Sequence, residues 1–230
     1  MEIALLSLTD GAARAKGLTV IIDVFRAVAT ACHVLERHPC EYLFVESSQA
    51  ATRLLQAARD PILIGKPELG ADLCYDIPNS PTRARGLHIA GRTVLHRTGA
   101  GAQGILVARQ AEDVVIGSFV NADAIVRYIR LRRPAVVSLV AMGHEGSVAC
   151  PADELCAAFL LALLENRPFD LVPQVNALRV TSGSYFFGAA QDEYPQEDFA
   201  HCLELSRFPF VPRAELLGDY ARLTALNVPA

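Results

Sequence analysis

What this chain lacks narrows its function before any motif is read. Its six cysteines, at positions 32, 40, 74, 150, 156 and 202, form no C-x-x-C pair. The adjacent His201 and Cys202 are not at zinc-ligand spacing, so no zinc centre is expected. Apolar runs are short: "AAFLLALL" is broken by Glu154 on one side and Glu165 on the other, and nothing reaches the length of a membrane span. The amino terminus has no basic region followed by an apolar run, so no signal peptide is expected. Lysine is almost absent, Lys16 and Lys66 being the only two, and the arginines are scattered. With a net charge of −4, nothing suggests a nucleic-acid surface. Internal repeats and low-complexity linkers are missing as well. The expectation is a cytoplasmic protein with free thiols, binding neither nucleic acid nor membrane.

What is present is a chain of 230 residues, 52% hydrophobic and 20% charged, which excludes disorder and a coiled coil. β-rich runs alternate with helical patterns. "LTVIIDV" (18–24) reads as a strand, "AVATACHVLERHP" (27–39) as a helix, and "EYLFVES" (41–47) as the next strand. A helix over 48–60 stops at Pro61, and "PILIG" follows as a strand. "AGRTVLHRT" and "DVVIGSFV" are further strands, with a helix at "GAQGILVARQA" between them. "NADAIVRYIRLRR" is a helix capped by Asn121, "AVVSLVAMG" a buried strand, and "PADELCAAFLLALLENR" a long helix. The alternation predicts an α/β fold with a mainly parallel sheet flanked by helices. A division near residue 115 would give an N-terminal α/β domain over 1–115 and a C-terminal one over 116–230, although no linker composition marks it.

In open α/β sheets, ligands bind beyond the carboxyl ends of strands, where helix amino termini present free N–H groups. That rule collects four places. The first strand ends at Asp23, with Arg26 just after it. A long loop, Lys66 to Arg85, carries Glu68, Asp72, Asp76, Asn79 and Ser80. "HRTGAGAQG" (96–104) is a small-residue turn that includes Arg97, Thr98 and Gln103. "AMGHEGSVACPADE" puts Asp153 and Glu154 at a helix start. Each has a plain structural reading: Asp153 as a cap, Asp23 with Arg26 as a buried pair, "PNSP" as a turn. "TGAGAQG" resembles a phosphate loop without the Walker lysine. Together they describe an anion site with room for Mg²⁺, which favours carboxylate and water oxygens. Arginine matches a phosphate or sulfonate with two parallel bonds. These residue types name no reaction by themselves.

"DVFRAVAT", "YDIPNSP", "RTGAGAQG", "SFVNADAIV" and "ADELCAA" together resemble the 2-phosphosulfolactate phosphatases, the Mg²⁺-dependent ComB family of coenzyme M biosynthesis. The resemblance runs from about Thr19 to Arg213, since "HCLELSRFPFVPR" is similar to the family's closing segment. It implies two dissimilar α/β domains with the active site at their interface, and hydrolysis of a small phosphorylated hydroxy acid, 2-phosphosulfolactate-like, to the alcohol and phosphate. On this resemblance Asp23, Arg26 and Asp153 are catalytic, and Asp23, Asp153 and Glu68 hold Mg²⁺. Asp76, Asn79, Ser80, Arg97, Thr98 and Gln103 bind substrate, and a homodimer is a further expectation.

Several positions depart from the family pattern. Lys66 stands where G-E-x-G-G has its carboxylate, with Glu68 two residues later. Ala152 replaces the first residue of an acidic pair, Ala102 a threonine, and Tyr75 a phenylalanine. Two readings stay open. One is a phosphatase in which Glu68 and Glu154 make up the missing charge. The other is a catalytically reduced homologue that binds an anionic small molecule.

Overall fold

A strand that is apolar but for one threonine has to be covered on both faces, and this requirement centres the fold on β2 (Gly17–Ile22), buried along its whole length. The computed structural model describes residues 1–66 and 73–229. In it β2 lies between β7 (Val136–Ala141) and β6 (Ala111–Gly117), parallel to both. β1 (Glu2–Ser7) adds to the outer edge of β7, also parallel. A second parallel group is made of β3 (Glu41–Val45), β5 (Thr93–Arg97) and β4 (Pro61–Ile64), with β5 in the middle. An antiparallel ribbon, β8 (Phe210–Leu216) and β9 (Tyr220–Asn227), joins the groups by pairing with β6 and β3. The result is one nine-stranded sheet of order β1-β7-β2-β6-β8-β9-β3-β5-β4. This is the α/β class that the alternation of patterns implies. Residue 115 lies inside β6.

The helices are α1 (Leu8–Arg14), α2 (Ala27–Leu35), α3 (Ser48–Ala57), α4 (Pro81–Arg85) and α5 (Ala100–Val107). They continue with α6 (Ala122–Arg132), α7 (Pro151–Leu164), α8 (Leu171–Leu178) and α9 (Gln196–Leu203). Their ends follow local chemistry. Ser47 Oγ accepts the Ala50 N–H to start α3, and Ser80 Oγ accepts that of Arg83 to start α4. α4 occupies part of what reads in sequence as a long loop, and Ser80-Pro81 is the cap-then-proline signal for it. Among the described residues no helix is long and apolar enough to cross a membrane.

Alternation along β2 divides the core. Ile21 belongs to a cluster with α2 and α5, while Val20 and Ile22 face the cluster under α6 and α7. α5 matters most for the site. It leaves β5 in one parallel group yet packs against β2 in the other, and Gly104 makes that approach possible. A Cβ there would stand 2.6 Å from Met142 Sδ and 3.0 Å from Ile21 Cγ2. The first turn of α5 is thereby brought to the carboxyl end of β2.

Candidate active site

The exits of β2 and β7 are fastened together by one side chain. Asp153, in the first turn of α7, accepts the Val24 N–H on Oδ1 and the Gly143 N–H on Oδ2, both at 2.8 Å. Gly143 has φ of 70°, and a Cβ on it would lie 2.2 Å from Val148 O, so only glycine presents its N–H to Asp153 in this way. The bland reading of Asp153 as a helix-start residue is therefore half of the account: it also staples two strand ends. Asp23 stands immediately beyond β2 and accepts the Ala27 N–H at 3.3 Å, at the start of α2. The Gly101 backbone, in the first turn of α5, also stabilises its charge.

These two carboxylates are buried, 7% and 3% exposed, and near enough to repel. Burial pushes Asp153 up to about 8, with the charge of Asp23 as the next cause. Burial likewise pushes Asp23 up to about 6, opposed by the N–H groups of Ala27 and Gly101 and by the charges of Arg26 and His144. Such a pair holds a proton near neutral pH or takes a cation. A Cβ on Gly101 would lie 3.2 Å from Asp23 Oδ2. Gly101→Ala is therefore expected to press on this carboxylate and lower turnover about tenfold, on the scale of a small misplacement at a reacting centre. Circular dichroism should be unchanged, and full activity in that variant would show that the α5 turn does not define the site.

Arg26 is not the partner of Asp23: no ion pair joins them among the described residues. Its Nη1 donates to Asp198 Oδ2 at 2.7 Å and to Glu193 O at 2.8 Å. The Tyr194 ring lies 4.7 Å from Arg26 Cζ and the Phe186 ring 5.8 Å. Asp198 is fully buried and also accepts from Ser80 Oγ at 2.8 Å and the Thr82 N–H at 2.9 Å. Through it, Ser80 and Arg26 become one constellation. Sequence reasoning does not single out Asp198. Its only local mark is an acidic first turn after Pro195, which reads as an ordinary helix start.

The remaining expected residues divide. Thr98 is buried at the end of β5 and its N–H donates to Val45 O at 3.1 Å. Asn79 is half-buried beside Ser80, with no hydrogen bond to its buried Oδ1 among the described residues. Arg97 Nη1 donates to Lys66 O at 3.1 Å. Two others serve the scaffold. Asp76 is exposed and accepts the Leu63 N–H at 2.8 Å, holding its segment along β4. Gln103 Oε1 lies 3.1 Å from Thr9 Oγ1, whose hydroxyl also lies 2.9 Å from Gly146 O, so it ties α5 to the start of α1. Glu68 and Asp72 lie outside the described residues, and among the described residues no three-member His/Cys/Asp/Glu metal cluster occurs.

Two of the departures acquire a physical meaning. Ala152 is fully buried in the cluster that packs α7 on the sheet, so a glutamate side chain could not be added there without repacking. Glu154 is exposed beside it and adds to the rise of Asp153. Lys66 is exposed, with Nζ 3.7 Å from Glu193 Oε1, a surface contact that contributes little.

The model of the 2-phosphosulpholactate phosphatase family matches residues 6–215. The chain is 24% identical over 209 residues to a protein named "Probable 2-phosphosulfolactate phosphatase" from Bacillus subtilis, covering 88% of this chain and 89% of that protein. A protein of the same name from Deinococcus radiodurans is 31% identical over 150 residues, 64% of this chain and 62% of its own. Another from Thermus thermophilus is 30% identical over 146 residues, 63% and 60%. The carboxylate pair of Asp23 and Asp153, the Arg26 and Ser80 constellation, and the α5 turn all fall within the matched residues, and the chain belongs to the 2-phosphosulpholactate phosphatase family.

Proposed function

We propose that this chain is a Mg²⁺-dependent phosphomonoesterase that hydrolyses a small phosphorylated 2-hydroxy acid of the 2-phosphosulfolactate type, giving the hydroxy acid and phosphate. The observation that carries the reading is the buried Asp23–Asp153 pair at the carboxyl end of β2, with the charge of Arg26 acting on it. Family membership supports the same reaction class.

The donor set suits Mg²⁺. Two buried carboxylates pushed upward by burial are hard oxygen ligands whose charge a divalent cation balances. Mg²⁺ commonly takes one or two carboxylates and completes its shell with water and substrate phosphate. Asp23 and Asp153 would hold it. Asp153 gives each oxygen to a 2.8 Å backbone bond, whereas Asp23 holds the Ala27 N–H more loosely, at 3.3 Å, so its oxygens turn more readily to a ligand. Bound there, the ion would neutralise developing charge on phosphoryl oxygens and acidify a water. Arg26 orients the substrate through donors that Asp198 and Glu193 do not use, and Tyr194 beside it helps to exclude water.

Phosphate release from a panel of phosphorylated 2-hydroxy acids, with and without Mg²⁺, tests the activity. The uncatalysed reaction is so slow that even weak turnover stands out. Titration calorimetry with Mg²⁺ in the presence of phosphate tests the metal. Binding should be tighter at pH 8.5 than at pH 6.5, because the proton held by the pair has to leave, and should disappear in Asp153→Asn. Identical titrations of both proteins at both pH values would remove the metal from this account. The second reading, a catalytically reduced relative that binds an anion, is favoured by Lys66 and Ala152 standing where the family pattern has carboxylates. Phosphate binding without turnover across the panel would establish it.

A further inference from the structure

We propose that Asp198 is the positioning residue of this site, setting Arg26 with its side-on Nε–Nη2 edge toward the substrate and coupling that setting to the Asn79–Ser80–Pro81 turn. The inference rests on the phosphomonoesterase reading above and adds to it a residue from the far end of the chain, 172 positions from Arg26.

The hydrogen-bond inventory supports it. A guanidinium has five N–H groups in a fixed plane. The two on Nη1 are taken by Asp198 Oδ2 at 2.7 Å and Glu193 O at 2.8 Å. Nε and Nη2 make no hydrogen bond among the described residues. They form one edge with two parallel donors, the geometry that matches two oxygens of a phosphate or sulfonate. Arg26 is 6% exposed, and the rings of Tyr194 and Phe186 at 4.7 and 5.8 Å restrict the plane, so its side chain has little freedom to choose another partner.

Asp198 is set as firmly as the residue it holds. Its side chain is 0% exposed, on the first turn of α9, and accepts from Arg26, Ser80 Oγ and the Thr82 N–H. Ser80 is itself fully buried and caps α4 through the Arg83 N–H at 3.2 Å. Burying a carboxylate is unfavourable unless it is paired and fully hydrogen-bonded, and here both conditions hold. A plain scaffold role would need only that α9 be pinned to α4. The scaffold reading leaves the spare edge of Arg26 unaccounted for, and the positioning reading assigns it.

A double-mutant cycle on kcat/KM separates the two. Asp198→Asn keeps size and two acceptor contacts while removing the charge from Arg26. It is expected to lower kcat/KM about tenfold to a hundredfold, the range controlled by one charge-assisted hydrogen bond. In an Arg26→Lys background the same change should have almost no further effect, because its action runs through the fork. Equal losses in both backgrounds would make Asp198 a scaffold residue and overturn the proposal. If Asp198→Asn does not fold, Ser80→Ala removes one donor from the same carboxylate. A loss there that vanishes in the Arg26→Lys background supports the proposal, and an additive loss overturns it. If the natural protein turns over none of the phosphomonoesters, the functional reading falls, and the cycle is read on the affinity for inorganic phosphate instead. Phosphate affinity unchanged by Asp198→Asn, or no phosphate binding at all, then overturns the positioning role as well.

Discussion

Arg26→Lys is expected to lower kcat/KM for a phosphomonoester by about two to three orders of magnitude, the scale seen when one preorganised donor to a reacting oxyanion is lost. Lysine keeps the charge and can still reach a carboxylate, but it is a single point donor with no fork. It cannot satisfy Asp198 and the Glu193 carbonyl while presenting two parallel donors to a substrate, as Arg26 is placed to do. Some stability should go as well, since the pair with Asp198 is buried. The ratio of the two effects is what decides. A large fall in kcat/KM with the fold intact by circular dichroism places Arg26 in the binding machinery. A lowered melting temperature with unchanged kcat/KM would make it a structural partner of Asp198 and nothing more.

The sequence placed Asp23 and Arg26 together because they are three residues apart, and two opposite charges at a strand end invite the simplest pairing. The structure separates their tasks. Asp23 turns to the amino termini of α2 and α5, and Arg26 turns to a carboxylate that arrives from α9. Most strand–helix units between β2 and α7 were legible because their signals are local: continuous apolar runs and prolines at helix boundaries; α4, capped by Ser80, was hidden in what reads as a loop. Several other elements carried weaker signals. β1 is only partly buried, and its apolar run, Ile3 to Leu6, is short and carries no flanking turn signal. In β8, Pro212 argues against a strand interior, yet it pairs with Ala225 in the ribbon. Gly218, at φ of 79°, marks the hairpin turn between β8 and β9, and this glycine with the burial alternation at the start of β9 was the available clue. Asp198 had no comparable clue. Its role depends on contacts with Arg26, Ser80 and Thr82 that span more than a hundred residues each, and no local pattern encodes such a meeting.

The Asp23–Asp153 pair makes a second large effect, one in which loss of function and gain of stability should come from the same substitution. Burial raises Asp153 in the folded protein to about 8, from an unfolded value of 3.8. For a group raised on folding, the stabilising contribution is fully present below the unfolded value and is lost as pH rises through the folded one. The folded protein therefore binds more protons than the unfolded chain across this window, and in the presence of a chelator its melting temperature should fall between pH 6 and pH 9. The loss should be on the order of a few kcal/mol, taken over the pair as a unit. Asp153→Asn replaces the ionisable group with a neutral one of the same shape. It gives up one acceptor toward the N–H groups of Val24 and Gly143, about 1–3 kcal/mol, and this sets a lower but flatter stability near pH 6. At pH 9 the variant should equal or exceed the natural protein without metal. Under the proposed function, Mg²⁺ restores the melting temperature of the natural protein at pH 9 and does nothing for Asp153→Asn, which should be without measurable turnover. A natural protein whose melting temperature is flat from pH 6 to pH 9 in chelator would show that the two carboxylates are not forced together. An active Asp153→Asn would show that the staple between β2 and β7 is all that this residue contributes.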